Sequence, residues 1–253
     1  MNSRALRWIG PVVALLSWEA YTRLAGVDPI FVPPVSAILK RFGELLLTGE
    51  IISHATASLV RLFIGYFLAA FVAITLGALV GSMRVVRDLV DPLVEMVRPI
   101  SPISLIPLAI LWFGIGAESK IFIIFMASFF PIFLNTVAGI LNTDRTIVRA
   151  AQALGASRTR ILWTVSIPGA APFIFTGLRI SMSIAFVVII AAEMVAAQDG
   201  LGWLILDAQR IYATDTVFVG ILTISALGFT MDWVMRRVGR VAFPWIQGKS
   251  AVA

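Results

Sequence analysis

The 253-residue chain has no cysteine and a single histidine, His54. Disulfides, thiol catalysis and a metal centre built on Cys or His clusters are therefore excluded. Charge is scarce as well: 13% of residues are charged, 20 Lys and Arg against 14 Asp and Glu, while 59% are hydrophobic. A soluble domain carries roughly 25% charge, and a chain with this little cannot cover a water-facing surface. The missing polar surface must face lipid. No repeat of fixed period and no low-complexity segment appears. The net charge of +6 does not indicate nucleic acid, because the basic residues are scattered between apolar runs and form no patch with interleaved aromatics.

What the chain does have is long apolar stretches. A spanning helix needs about 20 mostly apolar residues to cross a hydrocarbon core of roughly 30 Å. Residues 62–83, 99–117 and 121–143 qualify without a single charge. Residues 8–24, 172–197 and 217–235 qualify with charges toward their ends: Glu19 and Arg23, then Arg179 and Glu193, then Asp232. The expectation is an all-α polytopic membrane protein of six transmembrane helices, one domain over 1–253. The first stretch follows Arg4 and Arg7 as a signal peptide would, but it runs on without a small-residue cleavage site and reads as a retained span.

Orientation follows from the distribution of Lys and Arg. With the N-terminus inside, thirteen of the 20 fall on the cytoplasmic side and six outside, leaving Arg179 within the fifth stretch. Both termini are expected in the cytoplasm. Residues 35–46, after Pro33 and Pro34, show apolar positions at helical spacing. They fit a short helix on the membrane surface or a connecting helix packed on the spans. Gly200-Leu-Gly-Trp203 fits either a re-entrant or surface-lying piece on the external side, or a simple turn.

The one sizeable cytoplasmic loop, 144–168, has its own grammar. Asp144 is placed to cap a helix, Ile147, Ala151 and Leu154 share one face, and Gly155 stands where a left-handed residue ends it. Ser157 then caps a second short helix that Pro168 is expected to terminate. The small-residue face of Ala150, Ala151 and Ala153 beside basic positions suits entry into a groove on another protein, or the loop is an ordinary linker.

At this point the loop resembles the signature segment of bacterial ABC-importer permeases, Glu-Ala-Ala-x3-Gly-x9-Ile-x-Leu-Pro. Ala150, Ala151, Gly155 and Pro168 are in register, and Val165 and Ile167 are apolar replacements. Arg149 stands where the family usually has Glu. The likeness covers nearly the whole chain. Asp91-Pro-Leu, the run from Arg98-Pro-Ile-Ser-Pro to Gly116, Phe129-Phe-Pro-Ile and Gly200-Leu-Gly-Trp-Leu-Ile resemble the nitrate/sulfonate/taurine branch.

The resemblance implies a type I importer (MetI-like) permease fold in a bacterial inner membrane. It also implies a second permease copy, two cytosolic ATPase subunits that bind ATP and Mg, and an external solute-binding protein. Arg149, Ala150, Ala151, Leu154, Gly155, Ala156 and Pro168 are then the segment that couples to the ATPase. The cargo implied is a small oxyanion or sulfonate; the same architecture also resembles carriers of vitamin precursors and pyrimidine-like solutes.

The residues themselves point to transport and not to catalysis. Gly248-Lys249-Ser250 mimics the end of a phosphate-binding loop, but Phe243 stands where its first Gly is required. No nucleophile, base and orienting acid converge in a motif, so no catalytic residue is assigned. Polar groups at lipid depth mark candidate pathway or gate positions: Ser101, Ser104, Ser128, Asn135 and Glu193. The serines equally suit local backbone bonding or close helix packing, and Glu193 suits a gate or an Arg contact better than cargo ligation. Pro99, Pro102 and Pro107 make an irregular third span, a candidate cavity wall that Gly114 and Gly116 end. A secondary transporter would instead need inverted repeats and several intramembrane acids for ion coupling.

Overall fold

A computed structural model describes residues 3–242, and every regular element among them is helical. In chain order they are α1 (Ser3–Leu24), α2 (Val35–Leu47), α3 (Glu50–Ser82), α4 (Arg84–Val97), α5 (Ile106–Phe113), α6 (Ala117–Leu141), α7 (Arg145–Ala153), α8 (Arg158–Ile161), α9 (Ile167–Ala196), α10 (Leu201–Arg210) and α11 (Thr214–Ala242). The mimic at Gly248-Lys249-Ser250, with Phe243, lies outside the described residues. Helices suit this chain because every backbone N–H and C=O finds its partner within the segment, which lipid cannot supply.

The centre of the bundle is α3, α6 and α9. Between helices in lipid no hydrophobic driving force operates, so close packing must hold them. Small residues provide it. A Cβ on Gly77 would lie 2.8 Å from the Thr136 Cβ, and one on Gly81, a turn later, 2.8 Å from the Ile140 Cβ. Leu62, Tyr66, Ala73, Ile124, Ile132, Ala185 and Ile189 fill the core so formed. The Tyr66 hydroxyl donates to the Leu178 carbonyl at 2.9 Å, tying α3 to α9.

A second core joins Ile38, Leu45 and Ile51 to Leu201, Leu204 and Val219. It seats α2 and α10 against α3 and α11 at one end of the bundle. Residues 35–46 therefore pack on the spans as a connecting helix. Gly200-Leu-Gly-Trp203 is no simple turn: it opens α10, whose Leu201, Leu204 and Ala208 are buried.

Helix limits depart from the uncharged runs for definite reasons. α3 begins at Glu50, well before residue 62, and Arg61, within it, is turned inward onto Glu193. The stretch 99–117 is not one helix. α4 ends before Pro99, a 3₁₀ turn spans Pro102–Leu105, and the two arms meet at an 80° bend, where prolines remove backbone donors. The eight residues of α5 reach only about 12 Å.

Pro168 does not terminate a loop helix, contrary to the sequence expectation. It sits in the first turn of α9, where a missing N–H is tolerated, and a π turn at Leu162–Ser166 links α8 to α9. The fifth apolar helix thus starts long before residue 172. Among the described residues four helices are long and apolar enough to cross a membrane: Glu50–Ser82, Ala117–Leu141, Arg158–Val195 and Thr214–Ala242. The bent pair α4 and α5 makes a fifth if counted as one span. α1 is absent from that set, its apolar character diluted by Arg4, Arg7, Glu19 and Arg23.

Candidate functional site

Two constructions stand at opposite ends of α9. The first is the elbow of α7 and α8. The Asp144 carboxylate accepts from the Thr146 backbone N–H at 2.7 Å, capping α7. At the far end the Ala156 N–H donates to the Ala151 carbonyl at 3.1 Å and the Gly155 N–H to the Gln152 carbonyl at 2.9 Å. That pair of bonds is a Schellman motif, and it requires the left-handed φ of +80° that Gly155 adopts. The Ser157 hydroxyl accepts from the Arg160 N–H and starts α8.

No residue of α7 is buried. Leu154, at the end of α7, is 88% exposed, and Ile147, Trp163, Arg149, Arg158 and Arg160 of the same loop are exposed as well. Ala150 and Pro168 are exposed, and Ala151 and Ala156 half-buried. The elbow thus presents exposed apolar and basic side chains on a backbone shaped by its own caps. The π turn behind it is an irregularity of the kind found where a helix must be re-aimed.

The second construction is a buried polar latch joining α3, α9 and α10. Glu193 is 1% exposed. Its carboxylate accepts from the Ser58 hydroxyl at 2.8 Å, from the Gly202 N–H at 3.0 Å and from the Arg61 guanidinium at 3.0 Å. Ser58 in turn accepts from the Leu201 N–H at 2.9 Å, and Arg61 also holds the Asp199 side chain and, at 3.2 Å, its carbonyl. His54 Nδ1 accepts from the Gly200 N–H at 3.1 Å, and its ring packs on Trp203.

The glycines of Gly200-Leu-Gly-Trp203 are explained by this latch. Gly200 has a φ of +109°, and a Cβ there would collide with the Glu193 carboxyl group. A Cβ on Gly202 would lie 2.6 Å from the Ile190 carbonyl oxygen. Only bare backbone lets α10 approach α9 closely enough for the Gly202 N–H to reach Glu193. Nearby, Lys120 Nζ donates to the Gly116 carbonyl at 2.7 Å, fastening the start of α6.

The five candidate pathway residues do not converge. Ser101 and Ser104 are exposed at the bend, where the Ser104 hydroxyl donates to the Ser101 carbonyl at 2.7 Å. Asn135 bonds the Pro131 carbonyl of its own helix at 2.8 Å. Ser128 is fully buried in α6 with its hydroxyl unpaired, and Glu193 belongs to the latch. Sequence reasoning missed Ser58, Arg61, His54 and Asp199. The available signal was Ser58 and Arg61 one turn apart at the start of an apolar run, but it does not name the partner.

Residues 65–241 match the family described as binding-protein-dependent transport system inner membrane component. The taurine transport system permease protein TauC of Escherichia coli (strain K12) is 35% identical, over 97% of this chain and 95% of TauC. A putative aliphatic sulfonates transport permease protein, SsuC of Bacillus subtilis (strain 168), is 32% identical, over 93% of this chain and 85% of SsuC. Inward-facing structures of the MetNI methionine ABC transporter share the fold, with a TM-score of 0.67 at 18% identity over 77% of this chain and 97% of the matched chain.

The chain belongs to the binding-protein-dependent transport system inner-membrane component family. It is the membrane permease subunit of an ABC importer, a transport subunit and not an enzyme, and it works with an ATPase and a binding protein. ATP is handled by the partner ATPase.

Proposed function

We propose that the chain, a single transmembrane domain over 1–253, imports a small sulfonate-bearing solute delivered by an external binding protein. Two copies enclose the pathway, both termini lie in the cytoplasm, and the elbow 144–168 receives the stroke of the ATPase. Cargo of this class is the shared chemistry of the taurine and aliphatic-sulfonate relatives. The observation that carries the coupling role is Leu154, an apolar side chain 88% exposed on a capped turn. Arg149, Ala150, Ala151, Gly155 and Ala156 shape and flank the docking face, and Pro168 starts the helix that transmits movement. At the other end Glu193 holds an outer gate closed, and Ser101, Ser104, Ser128 and Asn135 remain candidate pathway groups.

The absence of native cysteine makes the test clean. In the assembled transporter, Leu154→Cys should form a cross-link to a cysteine placed in the groove of the ATPase, and the link should block taurine uptake. Cross-linking that leaves uptake intact, or none at any groove position, would overturn the coupling role.

A further inference from the structure

Arg179 interrupts the apolar run of α9 between two uncharged stretches, 161–178 and 180–192. It is about 18 Å along the helix from Ile167, on the half of the bundle nearer the elbow. Its guanidinium binds Asp232 of α11 at 3.1 Å, and Arg236, one turn further along α11, binds the other oxygen of the same carboxylate. Two guanidiniums on one carboxylate leave one positive charge in excess. The side chains of Arg179, Asp232 and Arg236 are 45%, 30% and 39% exposed. Ions this exposed cannot rest against acyl chains without a large penalty, so the face they occupy is turned away from lipid.

Arg179 and Asp232 line a cavity of about 170 Å³, with Arg236 held behind it on the other oxygen of Asp232. Arg179, Met182, Ser183 and Phe186 form one wall, at the i, i+3, i+4, i+7 spacing of a single helix stripe, and Gly228, Asp232 and Met235 form the other. A cavity of about 150 Å³ takes a benzene-sized molecule, so this one has room for a small organic solute, with a guanidinium in its wall. Ser183 is exposed on the same stripe and adds a hydroxyl donor, and Phe186 and the methionines offer an apolar wall to a short carbon tail.

We propose that the cavity between α9 and α11, charged by Arg179 and Arg236 over Asp232, is a transient binding site for an anionic, sulfonate-bearing solute on its way through the bundle. This rests on the reading of the cargo given above. The excess charge attracts the anion, and Asp232 limits how tightly it is held, as a transport site requires if the solute is to leave.

Substituted cysteines test the site without depending on uptake. In the full transporter in liposomes, Ser183→Cys is exposed to a methanethiosulfonate bearing a sulfonate and to one bearing a trimethylammonium group. Each rate is normalised to that reagent's rate with a free thiol in water. The sulfonate reagent should react faster by about tenfold, the scale on which a charged cleft concentrates its counter-ion. Arg179→Gln should abolish the preference, Asp232→Asn should keep or raise it, and millimolar taurine should slow the reaction. Gly228→Cys, on the opposite wall, gives the same readout if Ser183→Cys assembles poorly.

Equal normalised rates, a preference for the cation, or no reaction at either position overturns the site. Loss of the preference in both Arg179→Gln and Asp232→Asn also overturns it, since that is the behaviour of a structural strap. An anion preference in a transporter that takes up neither taurine nor aliphatic sulfonates keeps the site and defeats the cargo reading; uptake without the preference does the reverse.

Discussion

At one end of α9, Glu193 is buried and accepts from a hydroxyl, a guanidinium and a backbone N–H; at the other, beyond the π turn, α7 buries no residue. Both ends are organised around a glycine of positive φ, yet for different reasons. A Cβ on Gly155 would meet open space, so only the backbone conformation demands glycine there. A Cβ on Gly200 would strike the Glu193 carboxyl group, so conformation and packing demand it together. One end satisfies its polar groups within its own chain, and the other leaves its side chains exposed.

Removing the centre of the latch tests the buried end most severely. Glu193→Ala leaves the buried hydroxyl of Ser58 and the N–H of Gly202 without their acceptor and leaves Arg61 with Asp199 alone. Breaking a buried pair from one side costs about 3–5 kcal/mol, which for a chain of this size lowers the melting temperature by roughly 6–20 °C. Thermal unfolding of the detergent-solubilised transporter reads it. An unchanged melting temperature would mean the latch contributes no stability.

The same alanine at the two glycines sharpens the contrast. At Gly200 it meets a backbone region costing about 1–3 kcal/mol, with overpacking against Glu193 costing about 1–3 more. At Gly155 it meets only the left-handed penalty of about 1–2 kcal/mol. Gly200→Ala should therefore lower the melting temperature more than Gly155→Ala, whereas Gly155→Ala should leave ATP hydrolysis running while solute uptake falls. Equal melting temperatures for the two variants would show that Gly200 does not need the space it occupies.

How far each end was legible follows from the range of its interactions. Asp144, Gly155 and Ser157 announce the elbow because caps and Schellman turns are written within a few residues. The latch is not local: Ser58 and Glu193 are 135 positions apart. Nothing near Arg61 in the sequence names the carboxylate it binds. The break in the third stretch was readable from its prolines, although not the 80° bend that results. Pro168 was read as a stop because an isolated proline usually is one; the π turn ahead of it makes it a start. Selecting polar residues by depth found Glu193 but gathered Ser101, Ser104, Ser128 and Asn135 without a common site, since depth says nothing of which face a side chain takes. Arg179 and Asp232 were seen singly, as end charges, and only the packing of α9 on α11 makes them a pair.

The smallest effect expected is the most local. Asp144→Ala removes the one side-chain bond that caps α7, worth about 1 kcal/mol, while the Schellman end at Gly155 stays intact. One kcal/mol is about a fivefold change in an opening equilibrium. Amide hydrogen exchange should accelerate about fivefold at Thr146 and the next residues of α7 and stay unchanged at Leu201 and Gly202, whose N–H groups are bound in the latch. If the elbow is a separate unit, the disturbance stops at α8. Faster exchange at Leu201 and Gly202 in this variant would show instead that the two ends of α9 share one cooperative structure, and the division between a buried end and an exposed end would have to be abandoned.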